Sequence, residues 1–507
     1  MDLSERLSKV ITVNPTAGAI SQDGRWDSWA DIAAIGSSLS ERTRALPEDA
    51  FVALISRNDS ATISALLWGL TVGRPVLLLN HMQPDAALSE EIAELRPAAV
   101  VAAGTDWDRP GVLEATTSIG ATALRLERGP NASAILLADG TEHAAVDRAR
   151  PSGTDCAVSL KTSGTTGKPK RVEVTRSSLS ASIDAVDRHH NKGSAANGVQ
   201  LRRGATIQML PLAHTSAIQS ICVTIAAGRQ LVLLDRFEPV AWAEAVRDHD
   251  VVTTGVPPAG LRMILDADID PAWLSGLRSA RSGSAPLDPD LAEEFEKRYD
   301  VAVLQAYGAT ELQGLASWTL KDHERLRKVK RGAVGRLHPG VEVRVVDAES
   351  LEALPVGATG LLEVRTAQAS STDDSWIRTS DLAYYDTDGF LWIVGRADGA
   401  INRGGFKVDA GEVADELRAH PSVLDAVVVG IPDPRLGQVP VAAVQTARGA
   451  ASPTEAELRT WLRDRVEAYK VPTAIRVLAE LPRTVAMKPD AQAVRTMFAD
   501  QTALDAV

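Results

Sequence analysis

The chain has 507 residues, of which 45% are apolar and 24% are charged, and its formal net charge is −12. This length exceeds what one hydrophobic core serves, so we expect two or more domains, and the acidic balance argues against nonspecific binding of nucleic acid. The two cysteines, Cys156 and Cys222, argue against a disulfide framework and are typical of a cytoplasmic protein, and no apolar run approaches the roughly 20 residues of a membrane span.

The first half of the chain alternates between strand and helix patterns. Apolar runs at Phe51–Ile55 and Pro75–Leu79 flank a helical pattern at Ser60–Val72, and Ala98–Ala102 is a further strand-like run. This alternation predicts a parallel α/β sheet. A second sheet of the same kind is predicted from the runs Thr206–Leu212, Gln230–Leu234, Glu238–Asp248 and Val251–Val256.

The second half begins with short β segments between Gly332 and Val364, which predict an antiparallel, barrel-like subdomain. The predicted fold class is therefore α/β, with a large N-terminal domain at residues 1–397 and a small, mobile α+β domain at 398–507. The elements predicted for the small domain are helix Gly411–Ala419, strands Val423–Gly430 and Val439–Gln445, and helix Pro453–Ala468.

The run Thr162–Gly167, TSGTTG, is followed by Lys168, Pro169 and Lys170. Hydroxyls and glycine amides can surround a polyphosphate, and lysines at the rim add positive charge. Pro169 stands where a Walker A loop needs Ser or Thr, so this is a different kind of phosphate loop. The alternative is a solvent-exposed linker. Apolar residues on both sides indicate that the loop joins two strands.

Nine stretches, in order, resemble the adenylate-forming superfamily, which includes acyl- and aryl-CoA synthetases such as 4-coumarate:CoA ligase. They are TSGTTGKPK (162–170), PLAH (211–214), SGSAPL (282–287), YGATE (307–311), TSD (379–381), GRADGAI (395–401), GGFKVDAGEV (404–413), YKVP (469–472) and LPRTVAMK (481–488). The resemblance implies an ATP-dependent acid–CoA ligase. A carboxylate and MgATP would give acyl-AMP and pyrophosphate, and the thiol of the co-substrate coenzyme A would then give acyl-CoA and AMP. One alternative is an adenylating enzyme that transfers the acyl group to a carrier protein. The other is a catalytically inactive nucleotide-binding or interaction protein.

The resemblance also assigns ATP-binding residues. The phosphates are assigned to Thr162, Ser163, Gly164, Thr165, Thr166, Gly167 and Lys170, the adenine to Gly283, Ser284, Ala285, Pro286, Tyr307 and Gly308, and the ribose to Asp381 and Arg396. Asp381 is short and can accept hydrogen bonds from both ribose hydroxyls. Taken alone, Tyr307 would be a core aromatic and Asp381 a turn aspartate.

Four residues are implied in catalysis by the same resemblance: Lys488, His214, Thr310 and Glu311, with Glu311 as the Mg²⁺ ligand. A surface lysine, a helix-start histidine and an exposed carboxylate are the alternatives for Lys488, His214 and Glu311. Asp398 is the implied hinge between the domains. Coenzyme A is assigned to Gly404, Gly405 and Lys407, and the acyl pocket to His214, Gly255, Val256, Ala306, Ala309 and Leu315.

The sequence departs from the family pattern at Met487, Ser380, Asn402 and Ala213, none of which removes a charged catalytic group. The stretches that form the acyl pocket are small and aliphatic and contain no obvious cation, which favours an apolar acid. The expected partner is a small-molecule carboxylic acid, with neither nucleic acid nor membrane insertion, and a homodimer is left open.

Overall fold

The computed structural model describes residues 2–129, 131–140, 148–162, 170–190, 199–369, 375–397, 400–447, 451–482 and 490–504. Its first elements are α1 (Leu3–Val13), β1 (Gly18–Gln22), β2 (Arg25–Ser28), α2 (Trp29–Arg42), β3 (Val52–Ser56), α3 (Ser60–Val72), β4 (Val76–Asn80), α4 (Asp85–Leu95), β5 (Ala99–Ala103), α5 (Gly104–Trp107), α6 (Val112–Ser118), β6 (Thr122–Glu127), β7 (Ser133–Ala138), β8 (Cys156–Thr162), β9 (Lys170–Thr175) and α7 (Arg176–His190).

The first sheet has seven strands in the order β7-β6-β5-β3-β4-β8-β9. Its inner pairs are parallel and its two edge pairs, β6–β7 and β8–β9, are antiparallel. Alternate residues of β3 enter different cores, since Val52 and Leu54 pack on one face and Ala53 and Ile55 on the other. A strand buried on both faces is typical of a parallel sheet covered by helices, as predicted.

The middle of the chain forms two further sheets. Its elements are β10 (Ala205–Gln208), α8 (Thr215–Ala226), β11 (Gln230–Leu233), α9 (Pro239–Asp248), β12 (Thr253–Gly255), α10 (Pro258–Asp266), β13 (Ser279–Ser282), α11 (Pro289–Tyr299), β14 (Ala302–Ala309), β15 (Gln313–Ser317), α12 (Leu320–Leu326), β16 (Gly335–Leu337), β17 (Val341–Val346), β18 (Gly360–Thr366), β19 (Ile377–Tyr385) and β20 (Phe390–Arg396).

The second sheet differs from the prediction. It has four strands, β10-β11-β1-β2, so it includes the two N-terminal strands, and β12 instead begins a nine-stranded sheet in the order β12-β13-β14-β15-β16-β20-β19-β18-β17. Strand β12 has only three residues and pairs in parallel with β13. Tertiary packing decides which strand so short a segment pairs with, and the periodicity of the sequence contains no information about that packing. From β14 to β20 the pairing is antiparallel, as predicted for the barrel-like subdomain.

The small α+β region follows residue 400. Its elements are β21 (Ile401–Arg403), β22 (Phe406–Val408), α13 (Ala410–Arg418), β23 (Val423–Asp433), β24 (Gly437–Thr446), α14 (Glu455–Arg463), β25 (Ala474–Leu478) and α15 (Ala491–Leu504). The strands form one sheet, β22-β21-β24-β23, with β25 paired to β24. The predicted fold class is confirmed, and the predicted domain boundary lies between the nine-stranded sheet and this one.

Helix α14 is shorter than the predicted helix Pro453–Ala468. Thr454 caps it through a reciprocal pair of hydrogen bonds with Glu457, and it ends at Arg463. The chain then turns, so that Val466 is buried in the small core and Lys470 is buried against Glu412 and Glu467. Burial of these side chains, rather than helix propensity, sets the end of the helix.

Both cysteines are buried and unpaired. Burial raises the pKa of the Cys156 and Cys222 thiols to about 12. Among the helices that the structure describes, none combines the length and the hydropathy that crossing a membrane requires.

Candidate active site

The predicted phosphate loop connects β8 to β9. These strands pair antiparallel, with Thr162 directly opposite Lys170, so the loop is closed by its own ends. The prediction that it joins two strands is confirmed. Several predicted site residues lie outside the described residues: Ser163, Gly164, Thr165, Thr166, Gly167, Asp398 and Lys488.

Asp381 lies at the centre of the predicted ribose site. It is 7% exposed, and Arg396 lies directly opposite it on β20. The Tyr307 hydroxyl donates to Oδ2 at 2.5 Å, and Arg396 Nη1 donates to Oδ1 at 2.9 Å. Asp381 and Arg396, both assigned to the ribose, therefore lie together, and Tyr307, assigned to the adenine, contacts the same carboxylate.

The hydrogen bonds at Asp381 leave room for a ligand. Burial, followed by the Asp381 carboxylate, raises the pKa of Tyr307 well above its ordinary value, so the hydroxyl stays protonated and donates. Each carboxylate oxygen has two lone-pair sites, and each uses one here. The remaining sites can accept from two vicinal hydroxyls, which fits a ribose.

The predicted adenine turn is shaped by close backbone contacts. A Cβ at Gly283 would lie 2.9 Å from the Ala306 carbonyl oxygen, and a Cβ at Gly308 would lie 2.2 Å from that of Gln313. Ser284, next along, has φ of 67° and is exposed. Ala285 is half-buried and Pro286 is exposed. These contacts leave no space for a side chain at Gly283 in the turn or at Gly308 in β14.

Thr310 and Glu311 lie in the turn between β14 and β15. Glu311 is exposed, whereas Thr310 is half-buried. Among the described residues, no three His, Cys, Asp or Glu side chains form a ready-made metal site. One free carboxylate still fits Mg²⁺, because that ion takes most of its ligands from water and substrate phosphates.

Replacing Glu311 with glutamine should raise the Mg²⁺ concentration needed for half-maximal pyrophosphate release by about tenfold, since an amide oxygen is a weaker ligand than a carboxylate. The measurement is a Mg²⁺ titration at saturating ATP. Glu324→Gln, at an exposed position of α12, is the matched control. An unchanged Mg²⁺ response in Glu311→Gln would remove this residue from the metal.

His214 lies at the start of α8 and faces the small α+β region. Its ring contacts the Phe406 ring edge-on, with centroids 5.4 Å apart, and Phe406 stacks on Tyr469 at 4.5 Å. Burial lowers the pKa of the His214 imidazole, and the nearby Glu467 opposes this shift in part. The ring is therefore neutral near pH 7. The resemblance assigned His214 to the site, but Phe406 was not predicted as its partner.

The turn between β21 and β22 consists of Gly404 and Gly405, at φ of 59° and 93°. A Cβ at Gly405 would lie 3.9 Å from the Pro257 side chain, so this turn sits over the predicted acyl pocket. Lys407 follows on β22, half-buried. A further contact joins the small α+β region to the large one: the Asn80 side-chain amide donates a hydrogen bond to the Glu467 carboxylate at 3.5 Å.

The predicted acyl-pocket residues divide into two groups. Val256 and Leu315 are fully buried in hydrophobic cores, at 1% and 0% exposure. Gly255, Ala306 and Ala309 are half-buried, like His214. The sequence missed one neighbour, Arg281, which lies directly beside Gly255 in the sheet. Its position one residue before the SGSAPL stretch was the available signal.

Comparison with protein families agrees with this geometry. A family model described as AMP-binding enzyme matches residues 8–372. This protein belongs to that family. A second model, described as AMP-binding enzyme C-terminal domain, matches residues 412–488. The protein is thus an adenylate-forming AMP-binding enzyme, with the two parts expected of that superfamily.

Three proteins similar to this AMP-binding enzyme carry names that indicate different activities. It is 33% identical to 4-coumarate–CoA ligase-like 9 of Arabidopsis thaliana, over 66% of this chain and 61% of that protein. It is 32% identical to sulfoacetate–CoA ligase of Cupriavidus necator, over 73% of each chain. Its fold matches the amide bond synthetase McbA of Marinactinospora thermotolerans with a TM-score of 0.82 and 28% identity, over 98% of this chain and 100% of that one.

Proposed function

We propose that this AMP-binding enzyme is an AMP-forming acid–CoA ligase of the cytoplasm. A carboxylate attacks the α-phosphate of MgATP, which gives acyl-AMP and releases pyrophosphate. The thiol of coenzyme A then attacks the acyl carbon and gives acyl-CoA and AMP. The observation that carries the proposal is the Gly404–Gly405 turn over the acyl pocket, beside the neutral ring of His214.

The first half-reaction uses the ribose cluster and the phosphate loop. Asp381 and Arg396 would hold the ribose, with Tyr307 as one wall of the adenine slot. Thr162, Lys170 and the loop between them would hold the phosphates, and Glu311 the Mg²⁺. The metal supplies charge neutralisation of the phosphates. Positioning and charge stabilisation account for most of such a step, so no protein nucleophile is required.

The second half-reaction needs a path for a thin, flexible thiol arm. Two consecutive glycines leave the rim of the pocket without side chains, which suits close approach of such an arm along backbone. Phe406 and His214 form the adjacent apolar wall. The neutral imidazole can accept a proton from the thiol as it attacks, because its pKa is lowered by burial.

A second candidate function is transfer of the acyl group to an amine, because the chain matches McbA, named as an amide bond synthetase, over almost its whole length. Transfer to a carrier protein is the third candidate. Pyrophosphate release with a panel of carboxylic acids tests the first step. Mass analysis of products formed with coenzyme A, a carrier protein or simple amines identifies the acceptor. Product only with an acceptor other than coenzyme A would contradict the ligase proposal.

Replacing Gly405 with valine should reduce thioester formation about tenfold or more while sparing pyrophosphate release. The left-handed φ strains any other residue, and the added side chain would meet Pro257 at the mouth of the pocket. Single-turnover assays of the two half-reactions measure this split. Gly357→Val is the control, since Gly357 has a similar φ of 89° with nothing within 4 Å of its Cβ position. Equal losses in both steps would contradict the assignment.

A further inference from the structure

Arg281 is a half-buried cation that forms no ion pair with any residue in the described ranges. It lies on β13, between Gly255 of β12 and Leu304 of β14. Its Nε atom is shielded from solvent and has no hydrogen-bond partner. Its guanidinium forms neither an ion pair nor a hydrogen bond with any residue in the described part of the chain. Burying an unpaired charge costs free energy, so such a residue calls for an explanation.

Three histidines, His189, His190 and His338, lie near Arg281, whose charge acts on each ring. The Ser317 hydroxyl contacts His338 Nε2 at 2.9 Å and His190 Nε2 at 3.3 Å, and His189 Nε2 lies 3.0 Å from the Ser317 carbonyl oxygen. Burial, with a contribution from the Arg281 charge, lowers the pKa of His190 to about 2 and of His338 to about 3. Both rings are therefore neutral at physiological pH and do not compete with Arg281 for an anion.

Within the part of the chain that the structure describes, no carboxylate pairs with Arg281. The charged residue that acts on Arg281 is Arg229, which has the same sign. Asp322 acts on His189, but it already pairs with Arg336 at 3.6 Å and accepts a hydrogen bond from the Thr319 hydroxyl at 3.1 Å. An anion at Arg281 would thus meet one cation and neutral polar rings.

This cluster continues the acyl pocket. Gly314 lies between Gln219 of α8 and His338, since a Cβ there would be 3.0 Å from Gln219 Nε2 and 3.6 Å from His338 Cε1. Leu315, the next residue after Gly314, is a predicted acyl-pocket residue, and so is Gly255, which pairs directly with Arg281. The histidines and Arg281 therefore lie next to the predicted acyl pocket.

We propose that Arg281 binds a second anionic group, at the end of the acid substrate opposite the carboxylate that is activated. The substrates would be carboxylic acids that carry a distal carboxylate or sulfonate. A guanidinium binds either oxyanion through two parallel hydrogen bonds, which are stronger than those between neutral groups. The inference rests on the proposed function, and it differs from the sequence-based expectation of an apolar acid, in which no cation was assigned to the pocket.

The experiment compares matched acids with the full-length enzyme. Dicarboxylic acids of increasing length, aliphatic and aromatic, are paired with their half-amides and with sulfonate analogues, and pyrophosphate release gives kcat/KM for each. We expect the wild type to favour an anionic member over its half-amide by about 10- to 100-fold, as for hydrogen bonds to a charged group. The length series locates the best span, and the carboxylate and sulfonate arms show which oxyanion is preferred.

Arg281→Met should remove this preference, mostly by raising KM for the anionic acids, and leave the half-amides unchanged or improved. Arg281→Lys should retain part of it. Since Arg281→Met removes a half-buried charge that has no ion pair among the described residues, its melting temperature without substrate should equal or exceed that of the wild type. Arg298→Met, at an exposed position of α11, is the control.

The outcomes separate the two proposals. Conversion of neutral acids with no preference for a distal anion, or a preference that survives in Arg281→Met, would overturn the role of Arg281 and leave the ligase proposal intact. Absence of pyrophosphate release with every acid would overturn both.

Discussion

Replacing Lys488 with alanine is expected to slow adenylate formation about a thousandfold, the size of effect seen when one transition-state charge partner is removed. Thiol attack on a supplied acyl-adenylate should proceed at close to the wild-type rate. The reason is that negative charge accumulates at the α-phosphate in the first step only. Lys488 lies outside the described residues, so this role rests on the LPRTVAMK stretch and on the family to which the chain belongs.

The measurement is single-turnover kinetics of each half-reaction, with Lys297→Ala, at an exposed position of α11, as the control. Arginine at 488 should recover part of the first step, because it restores the charge with a different shape. Comparable losses in both half-reactions would remove the proposed role, since a general folding defect affects both alike.

Proline at Asp398 is expected to keep adenylation measurable and to reduce thioester formation about a hundredfold, the size of effect that follows from misplaced groups. The position connects two separately anchored regions. Arg396, two residues earlier, is bound to Asp381, and Ile401, three residues later, begins the small sheet. A rotation between half-reactions must therefore occur within four connecting residues, and proline fixes φ of one of them near −65°.

Asp398→Ala is the matched control, because it removes the carboxylate but leaves both torsions free. The same single-turnover assays apply. Thioester formation at the wild-type rate in Asp398→Pro would place the hinge elsewhere. A loss in Asp398→Ala as large as in the proline variant would indicate that the carboxylate, not the torsion, matters.

The sequence predicted the elements with strong local patterns. The helix at Ser60–Val72 has the predicted ends, because Asp59 caps its start and Gly73 ends it in the left-handed conformation. Tyr307, Asp381 and Arg396 were assigned to the nucleotide site because each lies in a recognisable motif. Their hydrogen-bonded contact was not predicted from the sequence.

Features that depend on distant partners were missed. The pairing of β1 with β11 joins residues about 210 positions apart, and nothing in either segment encodes it. The same holds for Phe406 against His214, and for Arg281. An arginine in a strand usually has a carboxylate partner or solvent, and only the structure reveals that the Arg281 guanidinium bonds to no residue in the ranges it describes.

The two buried cysteines bear on how the enzyme can be assayed. With thiol pKa values near 12 and side chains closed to solvent, neither Cys156 nor Cys222 presents a reactive thiolate at neutral pH. A disulfide reagent added to the folded protein should therefore report only the free thiol of the acceptor. The coenzyme A that remains can therefore be measured by adding the reagent to samples withdrawn at intervals, without mutating the protein.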